Sequence, residues 1–192
     1  MHKVTPDPDS LRAGDIVFIR IANFLYRRVA EATRSWTSHV GFLHHREGEA
    51  WMVAESAIPR VRLTPLPSFL ARSDRGQYAI TRLHSEINEE AAEKLRRAAS
   101  SRMGTLYHLG FKYDSPRQFC SKFVYDCYRD ALDVRIGRLE TFRELLASNP
   151  DSPLWFWRLW FWGRIPWERR TITPASQLED PQLTTVTSHA SS

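Results

Sequence analysis

Cysteine is scarce in this 192-residue chain, which has only Cys120 and Cys127. They lie seven positions apart in "RQFCSKFVYDCY", two turns along one predicted helix and about 10 Å from each other by the helical rise. That is beyond the reach of a disulfide, so free thiols are expected, as a reducing compartment leaves them. Neither CxxC nor HxxxH spacing occurs, so a structural zinc site has no local frame and no metal or other cofactor is expected. No stretch reaches the roughly 18 uncharged apolar residues of a membrane span. The opening "MHKVTPDPDSLRAGD" also lacks the apolar centre of a secretory signal, and the expected location is the cytoplasm. The chain has no run of five or six like charges either. Its net charge of +5 comes from scattered arginines, a mildly basic surface that favours anionic partners. Nucleic acid is not among the expected partners, because no reading motif accompanies that charge.

Apolar residues make up 42% and charged residues 26% of the chain, as in ordinary soluble proteins. The length suits one domain, expected over residues 1–183, with "TTVTSHASS" (residues 184–192) after it as a disordered tail. "AGDIVFIRI", "SHVGFLHH", "AWMVAES" and "YAITRL" carry the β-branched and aromatic content of strands and suggest a mostly antiparallel sheet. Between and after them the pattern turns helical. Phe24, Leu25, Val29 and Ala32 recur at helical spacing in residues 21–33, and "LPSFLARS" reads as a short turn of helix. Asn88 caps "EEAAEKLRRAASS", whose early acids and late arginines follow the macrodipole. Ser115, Pro116 and Gln118 match a capping box that starts the cysteine helix near Pro116. "TFRELLASNP" is one more helix, stopped by Asn149 and Pro150. The fold class is α+β.

On the cysteine helix both sulfurs fall on the apolar side, with Phe123, Val124 and Tyr128. Cys120 lies near the N-terminal end, where free N–H groups and the dipole favour thiolate, and Cys127 lies two turns further in. A reactive Cys120 still needs a base. His2 and His189 are terminal, His84 and His108 adjoin helix boundaries, and His44 and His45 sit at a strand end, expected to face solvent. His39 remains, on a strand face with Gly41, and a glycine within a strand often marks a close approach. Glu55, the one acid in an otherwise apolar neighbouring strand, is placed by hairpin pairing to orient the imidazole. Asp114 and Gln118, close to Cys120 in sequence, are alternatives for that third place.

The set "AGDIVF", "SHVGF", "VAES" and "YDSPRQFCSKFVYD", in that order, resembles the circularly permuted NlpC/P60 branch of the papain-like cysteine hydrolases, the YiiX/YaeF type. Over about residues 11–180 it is similar to the YebB-like bacterial proteins. The resemblance implies a papain-like α+β fold in which the His-bearing strand precedes the Cys-bearing helix. It implies Cys120 as nucleophile, His39 as general base and Glu55 as the orienting residue, with Tyr113 lining the substrate site. The implied chemistry is thiol-dependent hydrolysis of an amide, peptide-like or acyl ester bond through an acyl-thioester.

Five tryptophans (Trp155, Trp157, Trp160, Trp162 and Trp167) crowd into thirteen residues. As a helix the run is apolar nearly all round. Two readings stand: packing within the core, or an amphipathic surface at a membrane interface, contacting it through Trp155, Trp157, Trp160 and Trp162. The expected substrate is a small or peptide-like molecule or a lipid. The alternative to a hydrolase is a non-catalytic lipid- or peptide-binding module built on the same segment.

Overall fold

The computed structural model describes residues 6–150, 152 and 154–189. Residues 1–5 and 190–192, which include His2 and the end of the expected tail, lie outside the described residues. So do the side chains of Phe24, Leu25 and Val29, on which the periodicity of residues 21–33 rests.

A 3-10 turn at Pro8–Ser10 leads into β1 (Ile16–Ile21), then α1 (Phe24–Ala32), β2 (His39–Glu47), β3 (Ala50–Ser56), β4 (Val61–Pro65), α2 (Leu66–Ala71), β5 (Ser73–Leu83) and α3 (Glu89–Ser100). After a long loop come α4 (Cys120–Leu132), β6 (Glu140–Thr141), α5 (Phe142–Ala147), α6 (Leu154–Trp160), β7 (Arg170–Thr171), α7 (Pro174–Leu178) and β8 (Leu183–His189). Six strands form one sheet in the order β4-β3-β2-β1-β5-β8, all paired antiparallel. The α+β class and the mostly antiparallel sheet are as the sequence implies.

"IVFI" in β1 is fully buried because both faces of this central strand are covered. On one face Ile16, Phe18, Val40 and Phe42 pack against Phe123, Val124, Cys127 and Tyr128 of α4 and Leu95 of α3. On the other, Val17, Ile19, Leu43 and Val53 meet Leu66 and Phe69 of α2. Each such large side chain contributes roughly 1.5–3 kcal/mol when fully buried. α3 is capped as expected, with the Asn88 side chain accepting from Ala91 N. α4, inserted between sheet and loops, is buried on all sides from Cys120 to Tyr128 and ends at Asp133 in the left-handed conformation (φ 53°).

Two expectations about the chain's ends of elements are corrected. The capping box at Ser115 does not start α4. Gln118 is instead held extended, its N donating to Leu106 O (3.1 Å) and its O accepting from His108 N (2.7 Å), so the helix begins at Cys120 with Phe119 as N-cap. The tail is not disordered through residue 189: Thr184, Thr185, Val186 and Thr187, β-branched residues suited to extended backbone, lie in β8, which pairs along β5.

The tryptophan segment divides between the two readings. Phe156 and Trp157 are buried against Phe111, Phe142, Phe119 and Ile172, in an aromatic cluster that covers the loop before α4. Trp157 therefore has no free surface and is removed from the expected membrane-contact set. Trp160 is half-buried and donates its indole N–H to Leu109 O (3.0 Å), whereas Trp155 is 57% and Trp162 96% exposed.

Candidate active site

Three elements converge on one point. The lead-in to β2 is pinned to β1 by Ser38 N donating to Ile19 O (3.1 Å) and by the Thr37 hydroxyl donating to the same carbonyl (3.0 Å). This fixes His39, the first residue of β2, with the Phe69 ring 5.5 Å and the Tyr26 ring 5.6 Å from its own. β3 runs antiparallel alongside, with Gly41 directly opposite Glu55. A Cβ built on Gly41 would stand 2.7 Å from both Ala54 O and Val53 Cγ1. The glycine therefore lets β3 approach and sets the height of Glu55: the close approach that a strand glycine marks is that of the neighbouring backbone.

Glu55 is fully buried and holds four partners. Its Oε2 accepts from His39 Nε2 (2.6 Å) and Arg72 Nη2 (2.7 Å), and its Oε1 from the Thr64 hydroxyl (2.6 Å) and Arg62 Nε (3.2 Å). Burial alone would raise its pKa, but the hydrogen bond and charge of His39 and the charge of Arg72 hold it well below the usual carboxylate range. An ionised Glu55 can only accept, so Nε2 carries the proton and Nδ1 presents its lone pair. Nδ1 is buried with no oxygen or nitrogen partner. Beside Glu55, the group that raises the pKa of His39 is Cys120.

Because α4 begins at Cys120, the sulfur sits on the first helical turn, closer to the free N–H groups than the sequence implies. Burial would push its thiol up, yet the hydrogen bond and charge of His39, with the N–H groups of Ser121 and Val40, bring it below its ordinary value. His39 moves the opposite way: burial pulls it down, and its hydrogen bonds with Cys120 and Glu55 raise it overall. The two directions together favour a thiolate–imidazolium pair. Cys127 has no such neighbour, and burial pushes its thiol far up. It is packing.

Tyr113, expected at the substrate site, lies elsewhere. Its hydroxyl accepts from Arg129 Nη1 (2.6 Å) and donates to Asp126 Oδ1 (3.3 Å), at the outer side of α4. Gln118 also turns to Asp126 (3.3 Å) and Asp114 pairs with Arg170, so neither reaches His39. His44 is buried, not solvent-facing, with Nε2 3.3 Å from Arg96 O. The aromatic hydroxyls whose pKa Cys120 raises, after burial, belong to Tyr107 and Tyr26. Sequence reasoning missed both: Tyr107 lies in an aperiodic loop brought to α4 by its bridge with Gln118, and Tyr26 lies 94 residues before Cys120, on α1. With Phe119, Trp157 and Ile172 they wall an almost wholly apolar cavity beside Cys120.

The chain is similar in sequence and fold to known proteins. A family described as permuted papain-like amidase enzymes, YaeF/YiiX, C92 family, matches residues 10–187. The chain is 29% identical over 175 residues to the uncharacterized protein YiiX of Escherichia coli strain K12, covering 91% of this chain and 85% of that one. It also superposes, with TM-score 0.86 and 30% identity over 94% of this chain and 98% of the other, on the crystal structure of metalloprotein yiiX from Escherichia coli O157:H7. In the present chain no group of three or more His, Cys, Asp or Glu among the described residues is arranged to hold a metal ion. Glu55 takes Nε2 of the His39 ring and Nδ1 is left without a hydrogen-bond partner, which makes a relay and not a cage. These residues do not fit a metal at this position. Among the described residues no helix is long and apolar enough to cross a membrane.

Proposed function

The chain belongs to the permuted papain-like amidases of the YaeF/YiiX type, cysteine hydrolases of amide bonds, and from that premise we propose that Cys120, His39 and Glu55 carry its reaction as a triad through an acyl-thioester. The observation that carries the assignment is the one-way relay from Glu55 through His39 Nε2 to an unpartnered Nδ1 beside Cys120. The permuted order, with the histidine strand before the cysteine helix, fits the NlpC/P60 branch.

His39 Nδ1 takes the thiol proton and the sulfur attacks the amide carbonyl carbon. The developing oxyanion is received by the Cys120 backbone N–H at the head of α4 and by the Tyr107 hydroxyl. The imidazolium then returns its proton to the leaving nitrogen, the C–N bond breaks, and the thioester stays on Cys120. Water, deprotonated by the same Nδ1, releases the acid and restores the thiol. Glu55 supports the imidazolium throughout. The apolar wall of Tyr26, Phe119, Trp157 and Ile172 suits an acyl side that is itself apolar.

An activated acyl donor such as a p-nitrophenyl ester of a medium-length fatty acid tests this reading. Rapid acid quench followed by peptide mass spectrometry is expected to show the acyl mass on the Cys120 peptide and none on the Cys127 peptide. Turnover without that adduct, or an adduct that forms equally in His39→Ala, contradicts the scheme.

A further inference from the structure

The large apolar side chains most exposed to solvent are not scattered over the molecule. On and after α6, Trp155, Leu159 and Trp162 follow i, i+4, i+7 spacing and are 57%, 73% and 96% exposed, with Leu154 beside them at 38%. Leu106 and Leu109, at 52% and 45%, flank Tyr107 in the loop before α4. The Trp160 indole joins that loop to α6 through Leu109 O. Ile58, the one remaining exposed large apolar residue among those described, adjoins Pro59, whose carbonyl accepts from Tyr107 N (2.9 Å). All but Ile58 thus stand on the two segments that, through Tyr107, Phe111 and Trp157, also wall the Cys120 cavity. The inner side of α6, through Trp157, lines that cavity, and its outer side carries the exposed ridge.

The same segments are basic. Residues 104–118 and 154–170 contain six cationic residues, Lys112, Arg117, Arg158, Arg164, Arg169 and Arg170, and two acids, Asp114 and Glu168. Both acids are already paired with arginines, Asp114 with Arg170 and Glu168 with Arg143. Arg28 of α1 places its guanidinium 5.3 Å over the Trp155 ring. Arg158 and Arg164 are exposed beside the ridge. Exposed tryptophan and leucine bordered by arginine is the composition that settles at the headgroup level of a bilayer, and each cation near an anionic leaflet adds about 1 kcal/mol. A protein partner of ordinary composition would not require this excess of one charge, whereas an anionic lipid surface matches both features at once.

We infer that the ridge formed by Trp155, Leu159 and Trp162, with the neighbouring Leu106 and Leu109, docks the protein on the surface of anionic phospholipid membranes, with the Cys120 cavity on the docking side. Its substrate would then be met at the interface, which rests on the hydrolase reading, but the docking itself does not. Co-sedimentation of the full chain with phosphatidylcholine vesicles, with and without phosphatidylglycerol, tests it. Binding is expected with phosphatidylglycerol, weakening as salt rises, accompanied by a blue shift of tryptophan emission. The Trp155→Ser/Trp162→Ser double variant is expected to bind at least about tenfold less while keeping the wild-type melting temperature, since both rings are mostly in water. Cys120→Ala is expected to bind as wild type does, so that loss of activity and loss of docking are read separately. Absence of binding, binding indifferent to phosphatidylglycerol, or equal binding by the double variant would overturn the inference. So would a concentration-dependent dimer that the double variant dissolves, because the ridge would then belong to a second copy of the chain.

Discussion

Cys120→Ala is expected to lower amide hydrolysis by about four orders of magnitude or more, with the fold retained. The side chain is small, it sits in an apolar cluster where alanine is tolerated, and α4 is held by Phe123, Val124 and Tyr128 whether or not the sulfur is present. His39→Ala is expected to cost a similar factor, because without an acceptor at Nδ1 the buried thiol has nowhere to send its proton. The informative result is the double variant. Residues that act as one unit are grossly non-additive, so Cys120→Ala/His39→Ala should be no slower than either single change. If the two losses multiplied, cysteine and histidine would be acting on separate steps or separate sites. Steady-state rates of all three proteins, with circular dichroism as the fold control, check this.

Glu55→Gln is the second large effect, and it acts on activity and stability in different ways. A glutamine can still accept from Arg72 and Thr64, but it no longer offers a charge to the imidazolium or fixes which ring nitrogen bears the proton. A loss of about 10²–10⁴-fold in kcat, with little change in KM, is expected from the lost orientation and charge. Stability is expected to fall by about 3 kcal/mol, the lower end of what breaking a buried ion pair costs, because Arg62 and Arg72 retain access to water. The pH dependence has a definite sign. Glu55 is held below its ordinary value of 4.5, so its contribution is fully present above that pH and is lost as pH falls toward the folded value. His39 is raised above 6.5, so the stability from its charged form is complete below 6.5 and is lost as pH rises through the folded value. Glu55→Gln should therefore flatten both limbs. Denaturation midpoints of wild type and variant between pH 3 and pH 9 measure it, and parallel profiles would show that Glu55 does not join Cys120 in raising His39.

How far the site could be read from sequence depended on how local each signal was. His39, Glu55 and Cys120 come together because two neighbouring strands pair with Gly41 opposite Glu55 and because α4 crosses their face, relations that strand alternation and helical spacing encode. The start of α4 was misplaced for a physical reason: the local cue at Ser115 and Pro116 was genuine as turn chemistry, but backbone pairing of Gln118 with Leu106 and His108 took those residues out of the helix. Tyr107 and Tyr26 had no periodicity to betray them and depend wholly on tertiary placement. Tyr113 does not take their place because Asp126 and Arg129, six and nine residues after Cys120 on α4, claim its hydroxyl. β8 was lost in a polar string whose β-branched residues counted for less than its position at the end of the chain. The tryptophan segment held both readings because a short amphipathic element can bury Trp157 and expose Trp162 at once.

The reactivity of Cys120 as a function of pH goes most directly to the central claim. Iodoacetamide labelling of both cysteines, followed by peptide mass spectrometry from pH 4 to pH 10, should show Cys120 reacting with an apparent pKa well below the free-thiol value of about 8.5, and Cys127 hardly reacting. In His39→Ala the Cys120 midpoint should rise by at least one unit. Equal, slow labelling of both cysteines, or a Cys120 midpoint that ignores His39, would contradict the relay from Glu55 to the sulfur.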